Sequence, residues 1–156
     1  MIEMLLQTGM RIGELSRLRK EDLGKELTSI YIQAYSSYPD REVEVNPVLQ
    51  IALKNYLNNK LIKSGKSKYV FFTRTGNQIL IRNIRSAIQT AFKRTGIKDA
   101  SVNDLRNTFI IHQLEHGLKI EKLARIVGHK KQSTTEHYLD FIESRPQKTH
   151  NIIKAL

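Results

Sequence analysis

Two arginines, a histidine and a tyrosine stand in segments whose residue types suit work on a phosphate. Arg11 lies in TGMRIGEL, Arg106 in NDLRNTF, and His129 and Tyr138, nine positions apart, in VGHKKQSTTEHY. A guanidinium keeps its proton and grips two oxygens with a planar fork, so it can neutralise charge accumulating on the non-bridging oxygens of a phosphodiester. A phenol, with an ordinary pKa of ~10, can attack phosphorus and store the bond energy as a phosphotyrosine ester. An imidazole can hold a phosphate oxygen or assist proton transfer. Gathered around one phosphate, these groups would break and remake the diester with neither metal nor ATP. Each also has an ordinary structural explanation. An arginine after a turn is usually a solvated charge, a histidine after a helix-ending glycine often caps terminal carbonyls, and a tyrosine flanked by Leu139 and Phe141 is commonly half-buried core. His112, His116 and His137 are read as structural or surface residues. The His112/His116 pair has helical spacing but no third ligand in view, so no metal is expected.

The elements that must position these residues follow from periodicity and punctuation. The opening 23 residues carry apolar positions Ile2, Leu5 and Leu6, then Ile12, Leu15 and Leu18, and predict two helical stretches broken near Gly9. Residues 27–34 and 41–45 alternate polar and apolar side chains around the turn-rich YSSYPD, which predicts an antiparallel hairpin. Asn46-Pro47 supplies a cap and a first-turn proline for a helix with Leu49, Leu53, Tyr56 and Leu57 on one face and Gly65 past its end. KYVFFTRTGNQI reads as a strand and a turn, and RNIRSAIQTAFKRTG as an amphipathic helix through Ile84, Ile88 and Ala91 that stops at Gly96. Leu105, Phe109 and Leu114 mark a core stripe ending at Gly117, and Leu123, Ile126 and Val127 another before Gly128. Ser133 and Glu136 have the spacing of a capping box, which starts a helix at Ser133 and puts Tyr138 in its opening turns. The predicted fold class is α+β, mostly helical, with a small antiparallel sheet.

With 156 residues and 40% hydrophobic side chains, one domain with one core is expected. The formal net charge of +11 is spread along the chain and favours a polyanionic partner. The chain has no cysteine, which excludes disulfides, thiolate metal sites and a Cys nucleophile and fits a reducing interior. No apolar run approaches the ~20 residues of a membrane span, and no signal peptide is evident. A cytoplasmic protein without membrane contact is expected.

The three segments, in this order and spacing, resemble the tyrosine recombinase (phage integrase) family over about residues 5–142. In that family an arginine follows a TG turn, a second sits in a pattern like H-x-L-R-H-T-F, and a histidine after a helix-ending glycine precedes the nucleophilic tyrosine by nine positions. EHG at 115–117 and the hairpin between the motifs match as well. The resemblance implies the catalytic-domain fold and site-specific recombination or integration of double-stranded DNA through a 3′-phosphotyrosine intermediate. Tyr138 would be the nucleophile, Arg11 and Arg106 would bind the phosphate, and His129 would assist. No cofactor is implied. Protomers would associate on paired DNA sites, the tail QKTHNIIKAL docking on a neighbour or packing on its own domain. Arg82 and Lys130 are further candidates for DNA contact. The whole chain, 1–156, is expected to be a single catalytic domain, truncated at its amino terminus so that the helical core-binding domain of the family is absent.

Two positions depart from the family. Asn103 stands where a histidine or lysine usually precedes the second arginine, and an amide can contact a phosphate but not exchange a proton at neutral pH. The hairpin turn lacks the family's general-acid lysine, since no lysine lies between Lys25 and Lys54; Arg41, near the turn, hardly gives up its proton. The alternative function is therefore a catalytically impaired DNA-binding protein of the same fold. A third is a helix-turn-helix regulator using residues 102–127, which would be indifferent to Tyr138→Phe.

Overall fold

A computed structural model describes residues 1–59, 62 and 66–143. Gly65 and the tail at 147–156 lie outside the described residues. The chain begins with helices α1 (Ile2–Thr8) and α2 (Ile12–Arg17), followed by short 3-10 turns at Lys20–Asp22 and Lys25–Leu27. Strands β1 (Ser29–Ile32) and β2 (Arg41–Glu44) come next, then helices α3 (Pro47–Asn58), α4 (Ile81–Arg94), α5 (Val102–Glu115), α6 (Ile120–Val127) and α7 (Ser133–Glu143).

The break between α1 and α2 falls at Gly9, whose left-handed backbone (φ 61°) lets its N–H close on the Leu5 carbonyl at 3.1 Å. A side chain there would also run into the Phe109 ring of α5. Glycine at this position thus lets α1 lie against α5 and brings the Arg11 segment beside the Arg106 segment. The sheet is a two-stranded antiparallel hairpin with Ser29 opposite Glu44 and Ile32 opposite Arg41. Ile30, Ile32 and Val43 are buried on its inner face, as the alternation requires. Asn46 caps α3 by accepting the Leu49 amide at 2.8 Å, with Pro47 at the first helical position.

Three local expectations are corrected. The segment KYVFFTRTGNQI forms isolated bridges, Arg19 with Tyr69 and Phe72 with Gln78, rather than a strand. Its neighbour leaves the extended conformation for a 3-10 turn at Lys20–Asp22, so the pairing ends after the Val70 amide meets the Leu18 carbonyl and the Lys20 amide the Lys68 carbonyl. On α4 it is Phe92 that is buried with Ile84 and Ile88, and Ala91 is only half-buried. Helix α7 starts at Ser133 as the capping signature predicts, but Glu136 accepts a hydrogen bond from the Gln132 side chain at 2.9 Å instead of turning back to Ser133.

The main core joins α1, α2, the hairpin, α3, α4 and the start of α5 through side chains such as Met4, Leu15, Ile30, Leu49, Ile84 and Leu105. A second cluster, Phe109, Ile110, Leu123 and Val127, ties α5 to α6, and Tyr138 packs against it. That packing sets α7 and its tyrosine beside α5. Among the described residues no helix is long and apolar enough to cross a membrane.

Candidate active site

The carboxyl end of α6 organises the site. A helix leaves its last carbonyls without internal partners, at the negative end of its dipole. Here three guanidiniums take them. Arg41 donates from Nε to the Ile126 carbonyl at 2.7 Å, and Arg106 from Nη2 to the Val127 carbonyl at 2.7 Å. Arg11 donates to the Val127 and Gly128 carbonyls at 3.1 and 2.7 Å. Arg106 also donates to the Gly9 carbonyl at the α1–α2 break. Arg11 and Arg106 therefore meet at one carbonyl oxygen, although 95 positions separate them in the chain. Gly128, at φ 66°, makes this possible, because a Cβ there would lie 2.9 Å from Nη1 of Arg41 and 3.3 Å from Nη1 of Arg11.

One carboxylate counters these charges. Glu14 takes both Nη atoms of Arg41, at 2.9 and 2.8 Å, and Nη1 of Arg11 at 3.3 Å; its Oε2 also accepts the Arg11 backbone N–H at 2.7 Å. Burial alone would raise the Glu14 pKa, but hydrogen bonding and charge from Arg41, joined by Arg11, outweigh it and hold the carboxyl below its ordinary value. Arg106 is pushed down to about 10, chiefly by burial and then by the Arg11 charge, and stays protonated at neutral pH.

These residues open on a cleft of about 580 Å³ lined by Arg11, Arg17, Asn103, Arg106, Asn107 and Tyr138, with Tyr35 and Tyr38 of the hairpin turn. Among the described residues its charged lining is Arg11, Arg17 and Arg106 against Glu14, an excess of positive charge that favours an anion. The Tyr138 hydroxyl donates to Asn107 Oδ1 at 2.9 Å. The Arg11 guanidinium sits over the Tyr38 ring, 4.0 Å from Cζ to the ring centroid, and that of Arg17 over the Tyr35 ring at 3.6 Å.

Of the residues singled out in the sequence, Arg11, Asn103, Arg106 and Tyr138 line this cleft. His129 is not among the lining residues but lies against one of them. Its ring stacks on Tyr138 with centroids 6.2 Å apart, and its Nδ1 is 2.8 Å from the hydroxyl of fully buried Thr135. Lys130 is exposed and reaches the hairpin turn, where its ammonium donates to Ser37 Oγ. Arg82 is exposed on the first turn of α4, next to the cleft residue Ile81, and does not line the cleft. Sequence reasoning missed Glu14, Asn107, Tyr35 and Tyr38 and gave Arg41 no structural role. Glu14 did carry a signal, since an acidic residue three positions after a helix N-cap is placed to receive the cap's own amide.

Burial, followed by the charges of Arg106, Arg11 and Arg41, pushes His129 down to about 4. The imidazole is therefore neutral at physiological pH. Because the folded value lies below the unfolded value of ~6.5, its contribution to stability is full above ~6.5 and is lost as pH falls toward about 4. An NMR titration of the His129 ring should give a midpoint near 4 in the free protein, moving upward when inorganic phosphate occupies the cleft and offsets the arginine charges. A midpoint at the ordinary value would contradict this electrostatic picture.

The profile described as "Phage integrase family" matches residues 1–145, and the chain belongs to that family. It is 27% identical over 144 residues to tyrosine recombinase XerC of Oceanobacillus iheyensis, covering 88% of this chain and 47% of that protein. To tyrosine recombinase XerC of Staphylococcus aureus it is 28% identical over 139 residues, covering 88% and 46%. The chain thus spans about half the length of the curated relatives it matches. The crystal structure of XerA recombinase superposes with a TM-score of 0.79 at 26% identity, covering 93% of this chain and 57% of that one. A post-cleavage complex of XerH recombinase with its palindromic difH substrate shares the fold, with a TM-score of 0.78 at 19% identity, covering 98% and 44%.

Proposed function

We propose that this chain is the catalytic part of a site-specific DNA recombinase that cuts and rejoins one strand at a time through Tyr138. The observation that carries the proposal is the convergence of Arg11 and Arg106 on the Val127 carbonyl, together with the cleft that both arginines line alongside Tyr138. A scissile phosphate seated there has its non-bridging oxygens against two fixed forks while the phenol approaches phosphorus. Attack forms a 3′-phosphotyrosine and frees a 5′ hydroxyl, which reverses the step on the exchanged strand. His129, held by Thr135 against the Tyr138 ring, positions the phenol and hydrogen-bonds the phosphate once the arginine charges are engaged. Asn103 contacts a phosphate oxygen, and Arg82 and Lys130 contact the DNA. Protomers associate on paired sites, and the protein works in the cytoplasm, where its DNA is. Membership of a family whose relatives are named recombinases supports this over a purely DNA-binding role.

The test uses duplexes with randomised arms, nicked one nucleotide beyond a fixed scissile position so that cleavage releases a fragment too short to religate. The expected result is an adduct that survives denaturation, together with DNA affinity that falls ~100-fold between 50 and 200 mM salt for about four phosphate contacts. Salt-sensitive binding with no adduct on any arm sequence would leave only a DNA-binding protein. Binding indifferent to salt would remove DNA as the ligand.

A further inference from the structure

Expelling the 5′ oxygen of DNA requires a proton, because an alkoxide is a poor leaving group. The turn of the hairpin offers no lysine to give it. Arg11 and Arg106 are each held by two carbonyls with their forks committed to the non-bridging oxygens, and Arg17, the third arginine lining the cleft among the described residues, hardly gives up its proton. Tyr35 and Tyr38 line the cleft, but a phenol losing its proton would leave a phenolate beside a phosphodiester that is already anionic. An ammonium becomes a neutral amine on giving up its proton, and the positive charge it carries beforehand favours the negative charge growing on the leaving oxygen.

Lys130 brings an ammonium to this place from the opposite side. It follows His129 at the exit of α6, crosses to the hairpin turn, and donates to Ser37 Oγ. Its Nζ lies 4.9 Å from the centroid of the Tyr38 ring, the ring on which the Arg11 guanidinium rests at 4.0 Å. One aromatic side chain at the rim of the cleft thus carries both a phosphate-binding fork and a lysine. Among the described residues no carboxylate pairs with Lys130, and its hydrogen-bond partner is a neutral hydroxyl, readily exchanged for another oxygen. The four-carbon stem gives the ammonium freedom to turn from Ser37 into the cleft.

Building on the strand-transfer function above, we propose that Lys130 is the general acid of this site, supplied from the turn after α6 in place of a hairpin lysine. As Tyr138 Oη bonds to phosphorus, the phenol proton passes to water and the phosphorus–O5′ bond breaks. The electron pair of that bond stays on O5′, which takes a proton from the Lys130 ammonium and leaves as a hydroxyl. On rejoining, the 5′ hydroxyl attacks the phosphotyrosine, its proton returns to the Lys130 amine, and Tyr138 regains a proton from water.

The experiment compares two nicked duplexes of one trapped arm sequence, one with the ordinary bridging oxygen and one with sulfur at the 5′ bridging position, a thiolate leaving group that needs no acid. Lys130→Gln should slow adduct formation on the oxygen duplex by a factor on the order of 10²–10⁴ and stay within about threefold of wild type on the sulfur duplex. Lys131→Gln, changing the neighbouring exposed lysine, should match wild type on both. Equal losses on both duplexes would mean that Lys130 only binds or positions DNA, and wild-type rates on both would exclude it altogether. Sulfur rescue of Tyr35→Phe or Tyr38→Phe, with Lys130→Gln unimpaired, would hand the role to a phenol. If the wild type forms no adduct even with sulfur, the strand-transfer function itself fails.

Discussion

Replacing Tyr138 with phenylalanine abolishes the covalent protein–DNA adduct while leaving DNA affinity within about twofold of wild type. The two halves of this expectation have separate causes. Phenylalanine has no oxygen to bond to phosphorus, so the loss is complete rather than a slowing. Binding survives because the groups that attract the backbone, Arg11, Arg17 and Arg106 in the cleft, are untouched. The fold survives too. The ring still packs on the cluster of Phe109, Ile110, Leu123 and Val127, and the variant loses only the half-buried hydrogen bond to Asn107, worth about 0.5–1.5 kcal/mol. Denaturing gels of trapped nicked duplexes, run beside equilibrium binding at fixed salt, measure both halves. Adduct formation by Tyr138→Phe would remove Tyr138 as nucleophile and send the search to Tyr35 and Tyr38, the other phenols of the cleft.

Much of this site was legible in the sequence because its parts are short-range. Gly9 ends α1 where the TG dipeptide said a helix would break, and Tyr138 falls in the second turn of a helix whose start was marked at Ser133. The nine-residue interval between His129 and Tyr138 survives as a turn and that same helix, which returns the tyrosine to the histidine and stacks the rings. What escaped is long-range or belongs to the backbone. Arg41 and Ile126 are 85 positions apart and Arg11 and Gly128 are 117 apart, and their partners are carbonyl oxygens, which every residue has and no pattern of side chains announces. The failed strand at KYVFFTRTGNQI has a similar origin. Its β-prone residues carried the local signal, but a strand also needs an extended neighbour, and the neighbour curls away at Lys20.

The arrangement at the end of α6 links stability to chemistry. A guanidinium with all its donors in water is free to rotate, and one held by two carbonyls is not. Arg11 and Arg106 are each fixed by two such bonds before any substrate arrives, so little ordering remains to be done when a phosphate enters. His129, directly after Gly128, is aligned by the same turn, with its own amide bonded to the Ala124 carbonyl at 2.9 Å. A disturbance of the α6 terminus is therefore expected to move three of the four proposed site residues, Arg11, Arg106 and His129, together.

Glu14 is the residue on which that terminus depends most, and Glu14→Ala is expected to destabilise the fold by about 3–5 kcal/mol, the range for breaking a buried ion pair from one side. The side chains of Glu14 and Arg41 are only 7% and 8% exposed, so removing the carboxylate strands the Arg41 guanidinium with no solvent to replace its partner. Among the described residues Arg11 loses its only carboxylate contact, and Arg106, whose pKa burial and then the Arg11 charge already lower, faces two uncompensated cations. Glu14→Gln should fall between the two because an amide oxygen still accepts one hydrogen bond. In Glu14→Ala combined with Arg41→Met, part of the loss should return, since no charge is then left buried without its partner. The pH dependence carries its own sign. The Glu14 carboxyl titrates below its ordinary value in the folded protein, so its contribution is present above that ordinary value and disappears as pH falls through the folded pKa. Urea midpoints of wild type and Glu14→Gln should accordingly differ at neutral pH and converge in acid. A neutral-pH difference below about 1 kcal/mol for Glu14→Ala would place the pair among weak surface contacts and leave the three guanidiniums to be held by the α6 carbonyls alone.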